Sequence, residues 1–185
     1  MYPLVFTTLG VALLAAWFAV TIPNDMAALN RVHADTYAAN LWVYRGVLVA
    51  YQNDNFQTTA GFVPDTTLAA STAPHPTGYF PIGYQSMQTG SPAFNLWSNY
   101  FEGGTLYTFS SIPASDLPAG VIDAIFNRNG RSLMMGIKQT NSATTVSTVI
   151  SAFNLNTPPY SGTIFTLSPT AGGMIPDGAL VIVGN

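Results

Sequence analysis

Along its first fifty positions the chain changes its hydrophobic pattern once. From Leu4 to Ile22 it is apolar and uncharged, and at ~1.5 Å per residue this run is roughly 28 Å long, close to the ~30 Å hydrocarbon core of a bilayer. After Pro23 the apolar residues become periodic. Met26, Leu29, Val32, Tyr37, Leu41, Tyr44, Leu48 and Tyr51 recur as on one helix face, with Asn30, His33, Asn40 and Arg45 off that stripe. The pattern predicts a transmembrane anchor within residues 1–23, spanning over 4–22, and an amphipathic helix over 24–52 whose face from Met26 to Tyr51 forms the packing core. Pro23 fits either the first turn of a second helix, capped by Thr21 or Ile22, or a kink in one long helix.

The pattern breaks down over 53–96. Asn53-Asp54-Asn55 stops the helix, after which Pro64, Pro74, Pro76, Pro81 and Pro92 alternate with Gly61, Gly78, Gly83 and Gly90. This predicts an irregular excursion or a pair of short hairpins. Its aromatic residues Tyr79, Phe80, Tyr84 and Phe94 suit protein contacts and core cover equally.

Strand-like runs resume over 97–185. Trp97 to Phe101 leads through Gly103-Gly104, a tight turn or bulge, into Thr105 to Ser110. Pro118 to Arg128 has Val121, Ile122, Ile125 and Phe126 at helical spacing, with Ser115 or Asp116 as its cap and Asn129-Gly130 as its stop. Further strands are expected over Arg131 to Gln139, Thr163 to Leu167 (after Pro158-Pro159) and Ala179 to Val183, while Val146 to Phe153 is too short an apolar run to decide between strand and helix, with strand favoured. Gly172-Gly173 reads as a loop and Pro176-Asp177-Gly178 as a turn in which Asp177 bonds its own backbone. The succession indicates an α+β fold in 24–185: a mainly antiparallel sheet packed on the amphipathic helix.

Composition narrows the partners. Only 7% of residues are charged, the net charge is -3 and five residues are basic. Arg31, Arg45, Arg128, Arg131 and Lys138 cannot neutralise a run of phosphates, so nucleic acid is not an expected partner. The absence of cysteine excludes a disulfide scaffold and a thiolate centre. Polarity comes instead from Thr, Ser, Asn and Gln, a palette that suits proteins packed into assemblies.

The N-terminal run lacks a preceding Lys or Arg, and Ala19-Val20-Thr21 is a poor cleavage site, so an uncleaved anchor is expected rather than a signal peptide. A type IV prepilin leader also fits badly, because processing after Gly10 would put Ala15 where pilins carry glutamate. With Arg31 and Arg45 both after the run, the positive-inside count leans towards a cytoplasmic domain.

Candidate chemistry is sparse. His33 falls on the helix surface and His75 in the proline-rich loop, with no metal-ligand spacing around either. The eight acidic residues form no motif; a glycosidase-like pair from Asp65 and Glu102 is the one dyad to weigh. There is no Gly-x-Ser-x-Gly elbow and no phosphate-binding Gly-Lys loop. The expectation is therefore a non-enzyme with no catalytic, cofactor or metal residues. Arg45, inside the packing helix, is expected either to snorkel out or to meet a carboxylate such as Glu102 or Asp123, with the structural ion pair favoured.

The anchor, the helix containing ANLWVYRGVLVAYQNDN, and the segments NLWSNYFEGGTLYTF, NGRSLMMGIK and IPDGALVIV together resemble the PilM family of conjugative type IVb (thin) pilus systems. The chain looks longer than typical members over 54–96 and around 140–172. The resemblance implies an inner-membrane component of the pilus assembly apparatus or basal body with a periplasmic domain, against the charge lean, and with other pilus assembly or pilin proteins as partners. It carries over no functional residues. Two other classes stay open: a pilus or virion subunit polymerising through the N-terminal helix as a homo-oligomer, and a small cell-wall or glycan hydrolase.

Overall fold

The computed structural model describes residues 2–55, 59–72, 74–90, 93–128, 134–141, 146–151 and 163–184. Helix α1 runs from Tyr2 to Asn55 with Pro23 inside it. Of the two readings of Pro23, one long helix is the outcome.

The domain is a six-stranded antiparallel sheet against the C-terminal half of α1. Its strands are β3 (Trp97–Glu102), β4 (Thr105–Pro113), β5 (Met135–Asn141), β6 (Val146–Ser151), β7 (Thr163–Thr166) and β8 (Ala179–Val183), in the order β3-β4-β8-β5-β6-β7. The expected α+β class is therefore observed. Residues 103 and 104 join β3 to β4 with φ of 57° and 80°, a two-residue turn that matches strand twist and that glycine adopts without strain. The last strand of the chain lies at the centre of the sheet, between β4 and β5. Leu180 and Ile182 enter the core beneath α1, whereas Ala179, Val181 and Val183 enter a second core on the opposite face. A strand covered on both faces is apolar at every position, which is why this one reads as a continuous hydrophobic run.

Helix α3 (Val121–Arg128) packs on α1. It starts later than the expected Pro118. Ser115 and Asp116 lie in a preceding 3-10 turn, bonded to one another, instead of capping it. Gly120 has φ 83°, a conformation that interrupts the helix upstream of Val121. Helix α4 (Pro169–Met174) replaces the expected loop at Gly172-Gly173. Ser168 caps it by accepting from the Ala171 amide, and Pro169 is suited to the first turn.

The 53–96 excursion contains the short helix α2 (Asp65–Ala69) and a minimal hairpin of β1 (Gln88–Thr89) and β2 (Phe94–Asn95). Tyr79, Phe80 and Tyr84 cover the α1 core, while Phe94 stays 44% exposed. The expected stop at Asn129-Gly130, the residues 131–133 and 152–153 assigned to strands, and Pro158-Pro159 lie outside the described residues.

Candidate functional site

Helix α1 has three successive environments. From Val11 to Ile22 its large apolar side chains are 54–67% exposed, and it is long and apolar enough to cross a membrane. Past Pro23, Met26, Leu29 and Val32 remain 54–62% exposed. This corrects the expectation that the packing face begins at Met26: the domain reaches the helix only from Ala34 onward. Residues 23–33 form a stem between the candidate membrane span and the domain, with its apolar stripe unburied.

From Ala34 the buried positions are Ala34, Ala38, Leu41, Arg45, Leu48 and Gln52, joined by Tyr44 and Val47. Spacings of three and four keep them on one face. The two alanines bring α3 close: a Cβ on Gly120 would meet that of Ala34 at 3.6 Å. The same stretch opens into a groove of about 530 Å³ between stem and α3, bordered by Arg31, Asp35 and Asp123.

Arg45 lies inside this face, not off the stripe. Burial lowers its guanidinium from the usual range. It donates to Thr108 Oγ1 at 3.2 Å and to the Gly184 carbonyl at 2.5 Å, and meets no carboxylate among the described residues. The expected pair with Glu102 or Asp123 is thereby overturned. Glu102 instead accepts from Ser168, and Asp123 is exposed. Five donors let guanidinium satisfy buried oxygens without a counter-charge at contact distance.

Asp177 does not bond its own backbone. It pairs with Lys138 at 2.8 Å and accepts from Thr140 at 2.6 Å. Lys138, 4% exposed, also donates to the Gly172 and Ile175 carbonyls at 2.5 and 2.6 Å.

His33 is exposed on the helix, as expected. His75 is not a free loop residue: its Nε2 lies 2.8 Å from Asp54 and its ring 4.2 Å from that of Tyr79, fastening the excursion to the end of α1. Asp65 accepts from Ser86 and Asn95 and borders a cleft to which Glu102 does not contribute. The weighed acid pair is therefore not assembled at that cleft. Sequence reading missed Arg45 as a face residue, although its position four after Leu41 and three before Leu48 was the available signal.

In comparison with known proteins, a family model described as PilM matches residues 9–183, from within α1 to the end of β8. No curated protein and no solved structure matches the chain.

Proposed function

The chain belongs to the PilM family, and from that premise we propose that it is a non-enzymatic, single-pass inner-membrane component of a type IVb (thin, conjugative) pilus assembly apparatus or its basal body. Its globular domain faces the periplasm, and its partners are other membrane-anchored pilus proteins. Membership itself gives the pilus-related role. The finer reading rests on one observation, the stem. A helix that crosses a bilayer and then keeps Met26, Leu29 and Val32 bare beyond it offers an apolar face to whatever stands alongside in the same membrane.

That face also suits a second reading, a subunit that polymerises through α1 with copies of itself. Sheared filaments distinguish the two: an assembly component stays in the membrane fraction, whereas a filament subunit appears in the sheared material. Reporters fused after Gln52 and at the C-terminus test the topology. Activity of a reporter that works only outside the cytoplasm supports the periplasmic domain; activity only of a cytoplasmic reporter would overturn it.

A further inference from the structure

A cleft of about 400 Å³ opens where the segment before α2 meets the start of β3. Tyr44, Trp97 and Asn99 line it as buried residues, 2–3% exposed, while Phe62 and Phe94 border it as half-open aromatic rings, 48% and 44% exposed. Asp65 supplies its charge. The carboxylate's Oδ2 accepts from Ser86 Oγ at 2.8 Å and from Asn95 Nδ2 at 2.6 Å, which fixes the group in place without neutralising it. No lysine or arginine borders the cleft, no other charged residue occurs between Asp65 and Glu102, and no ion pair involves Asp65 among the described residues. Nearby phenols register the field: burial first, then the Asp65 charge, pushes Tyr84 up to about 12 and raises Tyr44 as well. Trp97 is a buried wall of the cleft, its indole Nε1 lying beneath the surface with no hydrogen-bond acceptor among the described residues.

We propose that this cleft binds an arginine side chain presented by a partner protein. A fixed, uncompensated carboxylate in a cleft bordered by half-exposed aromatic rings complements a cation that is planar and weakly hydrated. Guanidinium stacks on ring faces while donating to the carboxylate, whereas a lysine ammonium can do only the second well. A neutral glycan would leave the Asp65 charge unused, and a lone carboxylate is too few ligands to hold a divalent metal. The proposal rests on the pilus-assembly reading only for its partner's setting.

The test uses the full chain in nanodiscs with two probes, N-acetyl-arginine amide and N-acetyl-citrulline amide, which have nearly the same shape and differ in charge. Binding is followed at the Trp97 indole N–H by NMR. The arginine probe is expected to shift that signal saturably, with the citrulline probe about tenfold weaker or worse. Asp65→Asn keeps an oxygen for Ser86 and Asn95 and should make the two probes equal. Phe94→Ala, on the exposed border, should weaken the arginine probe while leaving the unfolding midpoint unchanged. Equal affinities in the native chain, or arginine binding indifferent to Asp65→Asn, would overturn the proposal. A cytoplasmic topology would overturn the functional reading instead and leave these affinities as they are.

Discussion

Arg45, in the C-terminal part of the first helix, donates to the backbone carbonyl of Gly184 just past the last strand, at 2.5 Å and across 139 residues of chain. The contact joins α1 to the centre of the sheet, since β8 sits between β4 and β5. A second bond to Thr108 on β4 fixes the same guanidinium.

Replacing Arg45 with methionine fills most of the space but leaves the buried Thr108 hydroxyl and the part-buried Gly184 carbonyl without this donor. Each unsatisfied group costs about 1–3 kcal/mol, so Arg45→Met should lower the urea midpoint of the domain markedly. Arg45→Lys should recover part of the loss, because an ammonium on a narrower head reaches one oxygen better than two. Thr108→Val should cost less than Arg45→Met. Equal midpoints for all three variants and the native chain would show that the clamp carries no stability.

The division of α1 into stem and packing face predicts opposite responses to substitution. Leu29→Ser on the exposed stem should change domain stability by less than ~0.5 kcal/mol while reducing pilus assembly. Ala38→Leu, at a position with 0% exposure, should destabilise the domain by about 1–3 kcal/mol through overpacking against its neighbours. Chemical denaturation and a count of piliated cells read the two effects separately. A destabilised Leu29→Ser would mean that the stem belongs to the core.

Leu13→Arg places a charge near the middle of the expected span, where insertion should be penalised by ~2.5–3.5 kcal/mol. Alkaline extraction of membranes checks this. Full retention of the variant would argue that α1 lies against the membrane instead of crossing it.

Much of this fold was legible because periodicity reports burial directly. The helix, the strands at 97, 105, 163 and 179, and the Gly103-Gly104 turn all follow from local pattern and backbone chemistry, whereas the short run at 146 leaves strand and helix open and is settled by its pairing with β5 and β7. What escaped depends on tertiary context. Met26, Leu29 and Val32 continue the packing stripe in sequence, but whether a stripe is covered depends on how far the sheet extends along the helix, which no local pattern states. Arg45 was placed off the face because arginine is rarely buried without a carboxylate, although its spacing from Leu41 and Leu48 pointed inward. Gly172 reads as a loop residue, yet a Cβ there would meet Ser147 Oγ at 2.7 Å; it is a helical residue kept small by the strand beneath it. The cleft at Asp65 left one trace in the sequence, a carboxylate followed by no charge until Glu102, and its aromatic walls come from three separate segments.

The Lys138–Asp177 pair should give the domain an acid-sensitive component. Hydrogen bonds from Lys138, then Thr140, hold the Asp177 carboxyl below its ordinary value of 3.8 against a small opposing effect of burial. A carboxyl with a lower folded than unfolded pKa binds protons more weakly in the native state. Its contribution is therefore complete above the unfolded value and disappears as pH falls through 3.8 and then through the lower folded value. Asp177 itself is 66% exposed whereas Lys138 is 5% exposed, so solvent screens the aspartate and the effect should be modest. Urea midpoints of the native chain and of Asp177→Asn, measured from pH 7 down to pH 3, should show a stability gap that is constant near neutrality and narrows at the acid end. At the lowest pH the native carboxyl is itself becoming neutral, which makes the two proteins alike there. No gap at any pH would mean that Lys138 is held by the Gly172 and Ile175 carbonyls alone, and a gap that stays constant down to pH 3 would mean that it does not come from the ionised Asp177 carboxylate.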